Sequence, residues 1–201
     1  MVKSVVRLIA VAVALCAAAA AHAAGTTDSF PIDQVMGKPD APITIIEYAS
    51  TTCGHCADLH SKFMPKLKAE WIDTGKARLI YRDFPTSPAG LSVGASMIAH
   101  CSGPQRYFGV LGMLMEQQEK WITSANPLEA VKKMVRLAGM TSDDVDACLA
   151  KQDLATAIQQ RARDGNAAYG VTSTPTLIIN GTRIEGNDPE AIEKTLKAAA
   201  K

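Results

Sequence analysis

The residues with the clearest chemistry in this sequence are two cysteines separated by two residues, in Cys53-Gly54-His55-Cys56. They follow the apolar run Ile43–Ala49, which is typical of a strand, and they open a helical pattern. A cysteine at the start of a helix lies beside free backbone N–H groups and the positive end of the helix dipole, which favour its thiolate. The second cysteine lies about one helical turn later, where it can form a disulfide with the first. The pattern therefore predicts thiol–disulfide exchange.

Other uses of such a cysteine pair fit the sequence less well. Covalent haem attachment requires a histidine directly after the second cysteine, where this chain has Ala57. A zinc site would need more ligands than Cys56 and His60, and no second pair has compatible spacing. A purely structural disulfide would close so short a loop that it would stabilise the fold little.

His55 lies between the two cysteines. As a cation or a hydrogen-bond donor it would stabilise a thiolate on Cys53 and so favour the reduced form of the pair. A more stable reduced form makes the disulfide a stronger oxidant. The alternative is a solvated loop histidine with no part in the chemistry.

The N-terminus has the pattern of a secretory signal peptide. Lys3 and Arg7 precede an apolar run at residues 8–21, and Ala21-His22-Ala23 is the small-x-small sequence that signal peptidase accepts. The apolar run is short for a membrane-spanning helix. We therefore expect export with cleavage after Ala23, and not a retained anchor.

Cleavage would change both the charge and the cysteine count. Loss of residues 1–23 removes two basic and no acidic residues, so the formal net charge goes from +1 to −1. Near-neutrality gives no electrostatic case for a nucleic-acid partner. Four cysteines would remain, and four cysteines allow three pairings. The economical pairing is Cys53 with Cys56 and Cys101 with Cys148, the second pair being a structural staple or a modulator of the first.

Strand patterns at both ends of the chain flank a helical middle. Residues 24–41 are polar and turn-rich and are predicted to form a tether. Strands are predicted at residues 43–49, 77–84, 176–179 and 182–185, with an Asn-Gly hairpin turn between the last two. Helices are predicted at residues 56–74, 91–101, 107–120, 127–138, 142–152 and 155–169, and a last helix begins after Asp188-Pro189.

Three details of the helices follow from single residues. Pro65 removes one hydrogen bond from the first helix and should kink it. Asn126 before Pro127 is a predicted N-cap. Thr141 with Asp144 three positions later is a predicted capping box.

Pro175 stands in Ser173-Thr174-Pro175-Thr176, directly before the third predicted strand. A proline is tolerated at the first position of a strand, and an ordinary trans proline would be the default there.

Taken together, these motifs resemble the DsbA-like family of periplasmic thiol–disulfide oxidoreductases, within the thioredoxin superfamily. The resemblance rests on the signal peptide, Glu47, the Cys53–Cys56 motif, Phe84-Pro85, the helical block and Thr174-Pro175-Thr176. It implies an α/β, thioredoxin-like fold with an inserted all-helical subdomain. The implied organisation is a signal peptide (1–23), a tether (24–41), a thioredoxin-like first part (42–88), a helical insertion (89–168) and a thioredoxin-like second part (169–201).

The resemblance also implies roles for single residues. Cys53 would be the exposed nucleophile and Cys56 its buried partner. Glu47 would be a buried acid that helps proton transfer at Cys56, whereas its alternative is a strand-end acid reaching solvent. Pro175 would be cis and pack across from the cysteines, so that the backbone of Thr174 could pair with a substrate peptide.

The sequence departs from the best-known oxidases of this family at two positions. Gly54 replaces a proline, which gives the Gly-His dipeptide of eukaryotic protein disulfide isomerases, and Thr174 replaces the usual valine. We expect an oxidase that introduces disulfides into secreted proteins. The alternatives are an isomerase or reductase of the same fold, and a metal-binding or chaperone-like module.

The resemblance implies a DsbB-type, quinone-linked membrane oxidase as the partner that restores the disulfide. We expect no cofactor and no metal. Few residues precede the first predicted strand, whereas isomerases of this compartment dimerise through a large N-terminal domain, so we expect a monomer.

The remaining candidates receive structural interpretations. His60 is predicted on the exposed side of the first helix. His100, the two tryptophans and the helical methionines are assigned to the core or to groove walls rather than to a metal site.

Overall fold

A computed structural model describes residues 32–201 of the chain, and the predicted signal peptide lies outside the described residues. This part contains five strands, β1 (Gln34–Met36), β2 (Ile43–Ala49), β3 (Ala77–Asp83), β4 (Thr176–Ile179) and β5 (Thr182–Glu185). They form one sheet of order β1-β3-β2-β4-β5. The helices are α1 (residues 54–72), α2 (Ala89–Cys101), α3 (Tyr107–Glu116), α4 (Gln118–Ile122), α5 (Pro127–Val135), α6 (Ser142–Leu149), α7 (Gln152–Tyr169) and α8 (Pro189–Ala199).

Strand β2 is the centre of the sheet because it is apolar on both faces. It pairs parallel with β3 and antiparallel with β4, with Ile45 opposite Leu79 on one side and Ile179 on the other. Side chains alternate between faces along a strand, and here both faces are covered. Helices α1 and α8 pack on the face that holds Ile45, while the apolar cluster on the opposite face includes Ile46 and Tyr169 of α7. The predicted α/β, thioredoxin-like fold is confirmed.

Strand β1 lies inside segment 24–41, which the sequence predicts to be a tether, so that prediction is wrong for Gln34–Met36. It pairs antiparallel with β3, with Gln34 opposite Tyr81. Directly before it, the Asp33 carboxylate accepts hydrogen bonds from Arg82 and Arg161, and all three side chains are buried. This buried charge network fixes a segment whose own composition carries no strand signal.

Helix α1 accommodates Pro65 by widening rather than by ending. Its α-helical segments Gly54–Asp58 and Met64–Leu67 alternate with the π-helical segments Leu59–Phe63 and Lys68–Ile72. A π-turn uses hydrogen bonds to the fifth residue and is a known way for an interrupted helix to continue.

The helical block between β3 and β4 matches the predicted elements closely. Asn126 caps α5 and Thr141 forms the predicted capping box with Asp144. The predicted helix at 107–120 is two helices, α3 and α4, because the backbone at Gln117 leaves the helical region at ψ 20°. A disulfide between Cys101 and Cys148 joins the end of α2 to α6, with the Cα atoms 6.0 Å apart.

Within residues 32–201, no helix combines the length and the apolar composition that a membrane crossing requires.

Candidate active site

Strand β2 and helix α1 place the two cysteines at different depths. Cys53 is the N-cap of α1, and its Sγ accepts a hydrogen bond from the backbone N–H of Cys56 at 3.4 Å. Cys53 is partly exposed, whereas Cys56 has no exposed surface. Both are free thiols in this structure. One sulfur can therefore meet another molecule while the other lies behind it.

The surroundings of Cys53 stabilise its thiolate. Its pKa is lowered from 9.0 to about 5. The main cause is a hydrogen bond from the Cys56 side chain, and partial burial opposes it. The Thr174 side chain and the backbone N–H groups of Cys56 and His55 lower the pKa further.

The surroundings of Cys56 have the opposite effect. Burial strongly raises the pKa of the Cys56 thiol, and the hydrogen bond and negative charge of Cys53 add to that rise. The charge of Glu47 acts in the same direction. A charge removed from water without a partner is costly, so Cys56 stays protonated while Cys53 is ionised.

The loop before β4 brings Thr174 against Cys53. The Cys53 Sγ lies 3.4 Å from the Thr174 carbonyl oxygen, and the Thr174–Pro175 peptide is cis, as the resemblance implied. Hydrogen bonds on both sides hold the loop, since Thr176 Oγ1 donates to the Ser173 carbonyl and the Gly186 N–H donates to the Pro175 carbonyl, each at 2.8 Å. The carbonyl of Thr174 thus stands beside the half-exposed sulfur.

His55 lies on the exposed first turn of α1. Its backbone N–H is one of the groups that lower the pKa of Cys53. The role predicted for its imidazole remains a prediction.

Glu47 is fully buried, and the structure corrects the placement of His60. His60 Nε2 donates a hydrogen bond to Glu47 Oε1 at 2.9 Å, and the His60 side chain is 8% exposed, not on the exposed side of the helix. His60 follows Cys56 by four residues, so the two share the helix face that packs on the sheet. The hydrogen bond to Glu47 offsets the cost of burying both polar groups.

Gln118 is a site residue that the sequence did not indicate. Its side-chain amide donates to the carbonyls of Thr51 and Cys53, at 2.9 and 3.0 Å. It reaches them from α4, more than sixty residues away in sequence. No local pattern in the sequence could have signalled this contact.

A hydroxyl cluster supports the same loop from the other side. Ser50 Oγ is 2.8 Å from the hydroxyls of Ser92 and Thr86, and the Thr52 and Thr86 hydroxyls are 3.0 Å apart. These hydrogen bonds fix the segment that carries Cys53. Across residues 32–201, no group of three or more histidine, cysteine or acidic side chains is placed to hold a metal ion.

Comparison with known proteins finds similar sequences and structures. The sequence model of the family described as thioredoxin matches residues 29–198. A Rickettsia bellii protein named as a protein-disulfide oxidoreductase is 30% identical over 168 residues, which are 83% of this chain and 64% of that protein. The chain thus spans less than two thirds of that relative. Disulfide bond formation protein D of Bacillus subtilis is 25% identical over 175 residues, covering 81% of this chain and 77% of that one.

Among solved structures, alpha-DsbA1 from Wolbachia pipientis superposes with a TM-score of 0.74 and 26% identity. The match covers 85% of this chain and 92% of that one. BdbD from Bacillus subtilis superposes with a TM-score of 0.72 at 22% identity, covering 84% of this chain and 92% of that one, and this likeness concerns the fold alone. The resemblance to DsbA-like proteins is confirmed.

Proposed function

This chain belongs to the thioredoxin family, and we propose that it is a DsbA-type thiol:disulfide oxidoreductase that oxidises dithiols in exported proteins. The observation that carries the proposal is the opposite ionisation of the two thiols. Cys53 is half-exposed with a pKa of about 5, and the buried Cys56 has a raised pKa. The similar proteins named for disulfide chemistry support the same reaction class.

The proposed reaction has two exchange steps. A substrate thiolate attacks the Cys53 sulfur of the Cys53–Cys56 disulfide, a new substrate–Cys53 bond forms, and Cys56 leaves with the electron pair. A second substrate thiolate then attacks the substrate sulfur of this mixed disulfide, and Cys53 leaves as a thiolate. The substrate has lost two electrons and the protein holds two reduced cysteines.

The direction of exchange follows from the stability of the Cys53 thiolate. A low pKa makes Cys53 a good leaving group in the second step and stabilises the reduced protein. A stabilised reduced form means an oxidising disulfide. The hydrogen bonds to Cys53 from Cys56, from Thr174 and from the start of α1 thus favour oxidation of substrates over their reduction.

We propose that Thr174 and Pro175 bind the substrate backbone. The Thr174 carbonyl beside Cys53 is an acceptor for the N–H of an extended peptide, in the manner of an added β-strand. Such backbone pairing would suit unfolded clients of many sequences. The specific clients would be reduced secreted proteins.

The location and the reoxidising partner are further parts of this proposal. The pattern of residues 1–23 supports export to the periplasm with cleavage after Ala23. A reduced protein needs an electron acceptor, for which we propose a DsbB-type, quinone-linked membrane oxidase. We propose that the chain works as a monomer.

Equilibration with glutathione buffers tests the proposed direction. The oxidised and reduced forms are trapped by acid and alkylation and then counted by mass. We expect a reduction potential more oxidising than the roughly −180 mV typical of protein disulfide isomerase. A value near the roughly −270 mV of thioredoxin would contradict the oxidase assignment and favour a reductase.

Oxidation of a reduced, unfolded client tests the activity itself. Wild-type protein should introduce disulfides stoichiometrically, and Cys53→Ser should not. Cys56→Ser has no second sulfur with which Cys53 can form the exchangeable disulfide, so it should also leave the client reduced. Equal client oxidation by wild type and Cys53→Ser would overturn the proposed enzyme, and metal analysis of untagged protein would then examine the metal-binding alternative.

A further inference from the structure

His60 connects the buried acid of the site to a separate cavity. Its Nε2 is hydrogen-bonded to Glu47, which has no exposed surface, and His60 is one of the residues that line a cavity of about 390 Å³. Met64, Lys68 and Glu116 line the same cavity. Neither Cys53 nor Thr174 is among its lining residues, so it is distinct from the surface where a substrate would meet Cys53.

The second oxygen of Glu47 is available for proton exchange. Within the described residues, Glu47 Oε2 is buried and has no hydrogen-bond partner. The charge of Glu47 acts on the Cys56 thiol, and both groups act on the buried Tyr81 hydroxyl. Glu47 thus has one oxygen bonded to His60 and another free to meet a proton donor or acceptor near Cys56.

We propose that His60 is a positioning residue that relays protons through Glu47 between Cys56 and the cavity. This proposal rests on the proposed function. A proton is needed at this point because Cys56 leaves the disulfide as a buried anion. The route past Cys53 is occupied by substrate at that moment. A second route, through the cavity lined by His60, lets the proton arrive without substrate leaving.

The proposed step couples cleavage of the disulfide to the uptake of one proton. The Cys53–Cys56 bond breaks, the attacking thiolate bonds to the Cys53 sulfur, and the electron pair moves to Cys56. His60 Nε2 gives its proton to the Glu47 carboxylate, and Glu47 passes a proton to the Cys56 sulfur, so Glu47 ends the step as a carboxylate again. His60 recovers its proton from water in the cavity, so the net change is one proton taken up with the electron pair.

The charges around His60 suit this role. Burial alone would lower the pKa of His60, but the adjacent Glu47 carboxylate and the charge of Glu116 outweigh burial and leave the pKa raised above 6.5. Lys68 is the cation on the same cavity, and the Tyr81 ring contacts the imidazole edge-on at 6.0 Å between centroids. The raised pKa favours the protonated imidazole, which is the form that can deliver a proton.

A second buried pair in the same core gives a matched control. His100 Nε2 donates to Asp83 Oδ2 at 2.7 Å, with side-chain exposures of 6% and 2%, close to those of His60 and Glu47. His100 does not line the cavity. A substitution there perturbs a buried histidine–carboxylate bond without touching the proposed relay.

Rapid mixing of the oxidised full-length protein with dithiothreitol measures the step directly. The rate constant is divided by the thiolate fraction of the attacking thiol and followed from about pH 5 to pH 9, across the range where histidine titrates. For wild type, we expect this corrected rate constant to fall as pH rises through the titration of His60. For His60→Gln, which can still donate to Glu47, we expect a roughly tenfold lower rate at acid pH and no such fall. This loss is smaller than the 10²–10⁴ of a direct acid, because His60 acts through Glu47.

Substitutions at two exposed residues, Glu116 and Glu119, keep the test independent of folding. Glu116→Gln should move the midpoint of the wild-type profile to lower pH, because the charge of Glu116 raises the pKa of His60. Glu119→Gln, on an exposed position outside the cavity, and His100→Gln should leave the profile unchanged.

A folded His60→Gln protein with the wild-type profile overturns the relay, as does an unchanged midpoint in Glu116→Gln. Failure of the proposed function looks different, since wild type itself would then show no exchange at Cys53.

Discussion

The low pKa of Cys53 can be tested by removing the group that contributes most to it. The hydrogen bond from the Cys56 thiol is the main cause of the shift from 9.0 to about 5. Cys56→Ala removes that donor, and Cys56→Ser keeps a hydroxyl in its place. We expect the pKa of Cys53 to rise clearly in Cys56→Ala and to rise less in Cys56→Ser. It should stay below 9.0 in both, because Thr174 and the N–H groups at the start of α1 remain.

The size of the pKa shift of Cys53 decides at which pH a rate measurement is informative. With a pKa of about 5, roughly 99% of Cys53 is thiolate at pH 7, against about 1% for a thiol with the reference value of 9.0. Intrinsic nucleophilicity falls with pKa, however, by about 40- to 100-fold for such a shift. The two effects nearly cancel at pH 7, so a single rate there decides nothing. At pH 5, Cys53 should keep about half of its maximal rate, whereas an ordinary cysteine keeps about 10⁻⁴ of its own.

The assay is the pH profile of alkylation of the reduced proteins, with thiolate ultraviolet absorbance as a second measurement. Cys56 of wild type should not react across this range because its pKa is raised. A wild-type midpoint near 8 to 9 would refute the account of the site and remove the basis for an oxidising disulfide. Identical midpoints in wild type and Cys56→Ala would show that Cys56 is not the stabilising donor.

Two further predictions concern stability and use urea unfolding. Gly165→Ala should lower the free energy of unfolding by about 1–3 kcal/mol, because its new Cβ would overlap the Tyr48 ring. Gly109→Ala, with open space around its Cβ, should be neutral or stabilising by up to about 1 kcal/mol. Equal effects of the two substitutions would contradict the packing described. Replacing Cys101 and Cys148 together by alanine should cost about 4 kcal/mol in the chain-entropy account of a disulfide at a separation of 47. A loss below 1 kcal/mol with a changed glutathione equilibrium would instead favour a modulating role.

The features that the sequence determined are those with local physical causes. Cys53 begins a helix because an apolar strand ends just before it, and the helix start supplies N–H groups wherever the chain goes next. The hairpin of β4 and β5 and the caps at Asn126 and Thr141 depend on neighbouring residues in the same way.

The features that only the tertiary structure decided depend on contacts between distant segments. Strand β1 exists because β3 offers an edge and two buried arginines bind Asp33, and nothing in its own composition signals that. Gln118 reaches the active-site loop from another helix. The sequence predicts His60 on the exposed side of α1, because an isolated histidine is well solvated at a helix surface. Its burial is favourable only because Glu47 on a separate strand supplies the charge that replaces water.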